Sequence, residues 1–252
     1  MNGSIYIMTN QEISNPRRKK KRLQHELSFE DIEYIKSIDS ALHQSMQKYR
    51  AAMSMMEVRF EILDAELELH KKRNPIHHVE SRLKTLSSIF EKLQRYNHKA
   101  TLENMEEYIF DVAGVRVICS YIQDVYSILD RLRAQDDLEI VKIKDYIANP
   151  KPNGYRSLHV VVKIPVYSLN KKEMIPVEVQ LRTIAMDFWA SLEHDLRYKA
   201  VEEITTIDAA KELKECSEII EGVEARMQVL AQCLEDQSEI NALDNAENGS
   251  QN

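Results

Sequence analysis

Glycine and proline punctuate a chain, and here they are scarce: five glycines and six prolines in 252 residues leave few natural breaks. Long helices are the expected result. Between residues 28 and 70, Ile32, Ile35, Ile38, Leu42, Met46, Tyr49, Met53, Met56, Phe60, Leu63 and Leu67 recur every three or four positions. That is the period of a long amphipathic helix or a helical pair. Ser28 with Asp31 supplies a variant capping box at its start, and Asn74-Pro75 a stop. Further helices are predicted over 78–96, over 102–109, from 184 to about 198, and over 208–234.

Strand character is confined to the middle of the chain. Residues 115–121, 138–146, 158–166 and 174–183 carry β-branched or alternating residues, and 125–132 reads as a crossover helix between the first two. The expected class is α+β, in a single domain spanning 28–235. Residues 1–27, with an uninterrupted basic run at 17–22, and the polar, acidic 236–252 are expected to be disordered tails.

The net charge of −7 does not suit a chain built to coat nucleic acid, so any basic site must be local. The 17–22 run is read as a flexible tail, with RNA or ribosome contact as the alternative. Cys119, Cys216 and Cys233 lack CxxC spacing, which fits a reduced, cytosolic protein. No apolar run reaches the roughly 18–20 residues of a membrane span, and the start lacks a signal-peptide core. A cytoplasmic protein without membrane contact is expected.

Chemistry-bearing residues gather in four places. In 153–159 (Asn-Gly-Tyr-Arg-Ser-Leu-His) Gly154 permits a turn, Tyr155 offers a flat face for a base, and Arg156 and His159 add donors beside it. In 177–183 the period of two puts Glu178, Gln180 and Arg182 on one face and Val177, Val179 and Leu181 on the other. Over 78–96, Leu83, Leu86, Phe90 and Leu93 form a core stripe. Lys84, Ser88, Lys92 and Arg95 form a second one, which is either an ordinary solvated face or an anion site suited to triphosphate. Asp111 and Arg116 bracket a small-residue turn in which Gly114 permits close approach. Asp111 and Glu178 are either a carboxylate pair for magnesium or two separate salt-bridged acids.

The segments 111–116, 144–146, 151–159, 177–183 and 186–194 resemble the synthetase domain of the RelA/SpoT family, a likeness covering roughly residues 75–199. With no hydrolase, regulatory or ligand-sensing segment in the sequence, the chain is similar to stand-alone small alarmone synthetases of the RelP and RelQ kind. The resemblance implies a mixed β-sheet flanked by helices, related to nucleotidyltransferases. It implies transfer of the β,γ-pyrophosphate of ATP to the 3′-hydroxyl of GDP or GTP, giving ppGpp or pppGpp and AMP in the stringent response. By the same resemblance Asp111 would ligate magnesium, and Glu178 would be a second ligand or the base for the 3′-hydroxyl. Arg82 and Arg116 would sandwich adenine, and Lys84, Ser88, Lys92 and Arg95 would hold the ATP phosphates. Tyr155 would stack on guanine, Lys144, Lys151 and His159 would contact the acceptor's phosphates, and Gln180 and Glu193 would shape its pocket. A homotetramer is implied, with single-stranded RNA or an alarmone as possible regulators. Asp187 stands where many RelQ-like members have asparagine, and this resembles the RelP branch, so RelQ allosteric traits are not implied. The alternatives are another nucleotidyltransferase and a catalytically silent RNA-binding module on the same fold.

Other conspicuous residues have plainer readings. Trp189 is expected in the core beside Phe188 and Leu192. His70, His77, His78 and His98 fit no zinc spacing and are read as solvated. Met46, Met53, Met55 and Met56 are read as packing residues or a partner surface. The first helix is too long for one small domain to cover, which implies subunit contact.

Overall fold

The apolar period of the first helix becomes a buried stripe. In the computed structural model, which describes residues 29–71, 73–168, 171–200 and 208–249, helix α1 (Phe29–Lys71) buries Tyr49, Ala52, Met56, Phe60, Leu63 and Leu67. Each large side chain so buried stabilises the fold by about 1.5–3 kcal/mol. The stripe lies across one face of a five-stranded sheet. Ser28 and the 17–22 run lie outside the described residues.

The strands are β1 (Ile76–Leu83), β2 (Ala113–Cys119), β3 (Glu139–Asp145), β4 (Leu158–Tyr167) and β5 (Lys172–Thr183). Their order in the sheet is β1-β2-β5-β4-β3. Only the β2–β5 pair is parallel. Short helices α2 (Leu86–Arg95) and α3 (Leu102–Tyr108) separate β1 from β2, and α4 (Ile122–Arg133) links β2 to β3. Helices α5 (Ile184–Ala200) and α6 (Ala209–Gly249) follow β5. The mixed sheet with flanking helices is the α+β architecture expected.

Alternation sorts the sheet into two faces. Val115 and Val117, Val160 and Val162, and Val177, Val179 and Leu181 are buried in the core. The opposite face carries the polar residues, and the strand register lines them up in rows. Glu80, Arg116, Gln180, His159 and Lys144 are consecutive partners across all five strands. The next row runs Arg82, Gly114, Glu178, Val161. Residues far apart in sequence thus share one surface because of pairing alone.

Two expectations need correction. Residues 78–96 are not one helix: Ile76–Leu83 is an edge strand, and the helix begins after Thr85, whose hydroxyl caps Ser88 N. A register shift between Ile76 and His78 breaks the alternation that would have revealed the strand, while Leu83 falls by chance in phase with the helical stripe that follows. The last helix runs to Gly249, not Leu234, so the helical segment extends through 236–249. No proline interrupts that stretch, and Gln232 Nε2 donates to Asp236 Oδ1 at 3.2 Å across one turn.

Trp189 is buried, and its Nε1 donates to Leu213 O at 2.8 Å. Its expected companions are not: Phe188 is 57% and Leu192 46% exposed, so α5 turns an apolar stripe outward. Met56 packs in the core, with Met46 and Met53 against it, whereas Met55 is exposed. His77 and His78 are exposed, and no group of three or more His, Cys, Asp or Glu among the described residues is arranged to hold a metal.

Candidate active site

Gly114 leaves a gap in the polar face. A Cβ there would meet only Arg82 O at 3.7 Å and Glu178 O at 4.0 Å, so the backbone tolerates a side chain. What the glycine omits is the bulk that would fill the cleft. That cleft is lined by Glu80, Arg82, Asp111, Gly114, Arg116, Glu178 and Gln180 among others. Arg82 faces Gly114 and Arg116 faces Glu80 on adjacent antiparallel strands, so the two arginines are diagonal neighbours, about 7–8 Å apart in backbone. That spacing accommodates one flat ring between two guanidinium planes. Arg116 Nη1 lies 3.3 Å from Glu80 and 3.5 Å from Asp187, while its Nε is buried without a partner.

Asp111 lines the same cleft. Its Oδ2 accepts from Lys84 Nζ at 2.7 Å and pairs with Lys92 Nζ at 2.8 Å, and its Oδ1 is buried with no partner. Burial pushes its pKa up, but the two lysines outweigh that and hold it below the ordinary carboxylate range. The cationic stripe read from the sequence therefore comes together in a different way. Lys84 precedes α2 and reaches Lys92 through a shared carboxylate, not through helical spacing. Ser88 sits in the first turn of α2, its hydroxyl 2.9 Å from Thr85 Oγ1, and Arg95 ends the helix, exposed. An unsatisfied carboxylate oxygen beside two cations and a second acid fits a magnesium ion that takes its remaining ligands from phosphate and water.

On the other side five side chains close a ring of contacts. Arg182 Nη2 donates to Tyr155 Oη at 2.8 Å, and Tyr155 Oη lies 2.8 Å from His159 Nε2. His159 Nδ1 is 3.4 Å from Glu178 Oε1, Gln180 Nε2 donates to Glu178 Oε2 at 2.8 Å, and Arg182 Nη2 also donates to Gln180 Oε1 at 3.1 Å. Along both arms the donations run from Arg182 to Glu178 if the hydroxyl gives its hydrogen to Nε2 and Nδ1 keeps its own. Burial opposes ionisation of Glu178, yet the contacts from His159 and Gln180 prevail, with Lys92 adding to them, and its pKa is held at about 2.

Above this ring lies an aromatic box. Lys151 Nζ stands 4.4 Å from the Tyr155 ring centre and 4.7 Å from that of Tyr146, a placement favoured by the rings' quadrupoles. Lys144 is exposed next to His159 in the register. Asn153 Nδ2 donates to Glu193 at 3.2 Å. Of the residues to which the resemblance gave a role, Arg82, Asp111, Arg116, Glu178 and Gln180 line the cleft, Lys84 and Lys92 meet Asp111, Tyr155 and His159 belong to the ring, and Lys151 sits on the tyrosines, whereas Arg95 and Lys144 are exposed.

One expected donor is elsewhere. Arg156 points away from the cleft and is buried, its Nη1 donating to Glu224 Oε2 at 3.0 Å. Neighbours in an extended segment point to opposite sides, so Tyr155 faces the cleft and Arg156 cannot. Sequence reasoning gave no role to Tyr146 or to Asp187's contacts. Tyr146 follows Asp145, whose carboxylate accepts from Ile147 N and Ala148 N, both at 2.9 Å; an aspartate opening a turn was the available signal. Asp187 accepts from Arg182 at 3.0 Å and lies near Arg116, so it joins the two halves of the site.

Comparison with known proteins identifies the family. A family model of the region found in RelA / SpoT proteins matches residues 81–203. The chain is 42% identical over 202 residues to the GTP pyrophosphokinase YwaC of Bacillus subtilis strain 168, across 80% of this chain and 96% of that protein. It is 36% identical over 151 residues to the GTP pyrophosphokinase YjbM of the same strain, across 60% of this chain and 70% of that one. The chain belongs to the RelA/SpoT family of alarmone synthetases. Among solved structures it is similar to small alarmone synthetase 2 from Bacillus subtilis, with TM-score 0.67 and 41% identity over 76% of this chain and 98% of that one. Small alarmone synthetase 1 from the same organism, bound to its product pppGpp, matches with TM-score 0.69 and 31% identity over 76% of this chain and 97% of that one.

Proposed function

We propose that this chain is a GTP pyrophosphokinase-type alarmone synthetase, moving the β,γ-pyrophosphate of ATP to the 3′-hydroxyl of GDP or GTP. The observation that carries the reading is the position of Glu178, which both lines the arginine-flanked cleft and closes the ring that fixes Tyr155. A donor site and an acceptor site meet at one carboxylate.

On the donor side Arg82 and Arg116 take the adenine between them, and Lys84, Ser88, Lys92 and Arg95 take the phosphates. A triphosphate competes with Asp111 for the two lysines, so its arrival releases Asp111 to face a metal. Bound magnesium would be held by Asp111 and Glu178 and would neutralise charge on the phosphates being cleaved. On the acceptor side guanine stacks on Tyr155 in the space Lys151 now fills, which sends the Lys151 ammonium with Lys144 and His159 to the acceptor's phosphates. Gln180 and Glu193 bound the pocket. A carboxylate held near pH 2 is ionised throughout the physiological range and is a weak proton acceptor. Glu178 therefore serves as a ligand and as the acceptor that orients the 3′-hydroxyl, and positioning supplies most of the rate.

The same proposal extends to assembly and place. Val58 and Ile62 on α1, Phe188 and Leu192 on α5, and Ile219, Val223 and Met227 on α6 are exposed apolar residues, more than an isolated subunit needs to leave in water. They support a homotetramer. Among the described residues no helix is long and apolar enough to cross a membrane, in keeping with a cytoplasmic enzyme. Regulation by single-stranded RNA or an alarmone belongs to the proposal only through the family.

The test divides the site. Arg116→Ala should raise the KM for ATP at least tenfold with little effect on the acceptor, and Tyr155→Ala should do the reverse. Equal effects of each variant on both substrates would refute the two-sided site.

A further inference from the structure

Residues 209–249 lie beyond the segment matched by the family model, yet α6 reaches the acceptor loop with polar groups. Ser217 Oγ donates to Gly154 O at 2.6 Å. Arg156 Nη1 donates to Glu224 Oε2 at 3.0 Å, and its Nη2 lies 3.6 Å from Glu221. Both side chains of the Arg156–Glu224 pair are almost fully buried, at 5% and 4% exposure. Leu213, Ser217, Glu221 and Glu224 follow at steps of four, four and three, one face of a helix. The fit is close: Gly154 has φ +90°, and a Cβ on it would come within 2.8 Å of Ser217 Cβ and 3.2 Å of Lys214 Cα. Glycine is needed there both for its backbone angle and for the approach of α6.

We propose that Ser217 and Glu224 are positioning residues for the acceptor nucleotide, acting through Gly154 and Arg156 to fix the rotation of the peptide that carries Tyr155. The residues on either side of Tyr155 are thus each tied to α6, while the Tyr155 hydroxyl is tied to Arg182 and His159. Three fixed points define the plane of the ring. A stacking platform held in place before the ligand arrives binds more tightly than one that must be ordered on binding. Hydrogen bonds to charged, buried partners are the strong and directional ones, which suits a clamp better than apolar packing would. This inference rests on the reading of 151–159 as the acceptor site.

Two measurements separate the clamp from that reading. Hydrogen exchange of the amides of 151–157 should speed up at least tenfold in Glu224→Gln and several-fold in the milder Ser217→Ala, with α1 and the central strands unchanged. In the same variants the KM for the guanine nucleotide should rise about three- to thirtyfold while the KM for ATP stays within twofold. Exchanging the charges, Arg156→Glu with Glu224→Arg, should recover part of the loss. Unchanged loop exchange in both single variants would overturn the clamp whatever the kinetics. Faster exchange with an unchanged acceptor KM would overturn its positioning role, and if Tyr155→Ala also left that KM unchanged, the acceptor reading itself would fall.

Discussion

A carboxylate whose two oxygens are both engaged before any substrate arrives has little freedom left, and Glu178 is in that state between His159 and Gln180. Glu178→Gln keeps the shape and loses the charge, so kcat should fall by about 100-fold or more through lost ligation and positioning, acceptor affinity should change little, and the melting temperature at neutral pH should drop; steady-state kinetics beside calorimetry checks this. The pH dependence has a definite sign. Because the folded pKa is about 2 against an ordinary 4.5, the stability gained from these contacts is complete above pH 4.5 and is lost as pH falls towards 2. Urea unfolding at several pH values should show the wild type losing its advantage over Glu178→Gln across that window, and no acid limb of kcat above pH 5 should disappear in the variant. At this scale the sequence was informative about residue types and silent about pairing. Asp111, Glu178 and Tyr155 were legible as chemistry, but Arg156 was misread because nothing in its own neighbourhood revealed Glu224, 68 residues away.

At the scale of elements, strand register does what no short motif can. Alternation in 177–183 gave the correct face for Glu178, Gln180 and Arg182, and the register then set Arg116, His159 and Lys144 beside them. The long first helix was legible because its apolar period, from Ile32 to Leu67, runs for about ten turns. Strand β1 was not, since an edge strand with a bulge and four polar outward residues has neither a continuous apolar run nor clean alternation. The gap at Gly114 is the element-level feature most open to test. Valine suits a strand, and a Cβ at 114 comes no nearer to backbone than 3.7 Å, so Gly114→Val should fold with near-normal stability and lose ATP binding by about tenfold or more, as measured by calorimetric titration with ATP. Asp187 offers a gentler probe of how the halves communicate. Asp187→Asn should weaken the holds on Arg182 and Arg116 together and reduce the mutual enhancement of ATP and acceptor binding severalfold, read from the ATP KM at low and saturating acceptor.

For the whole molecule the distribution of polarity is informative. Helix α6 turns Ser217 and Glu224 inward and Ile219, Val223 and Met227 outward, the reverse of a surface helix on a monomer. Sequence periodicity shows that such a helix has two faces but not which one meets its own subunit, and the long polar stretch after Leu234 hid its true end. In the proposed homotetramer that outer stripe would be covered. Phe188→Asp, on the outward stripe of α5, should shift light-scattering mass from four subunits to fewer without unfolding the chain. Chemistry is the claim that matters most for the molecule as a whole. Incubation with ATP, magnesium and GDP or GTP, followed by mass and phosphorus resonance analysis, should yield AMP in equal amount with a guanosine nucleotide bearing a pyrophosphate on its 3′-oxygen. Release of ADP, or of free pyrophosphate with transfer of AMP to the acceptor, would contradict the account.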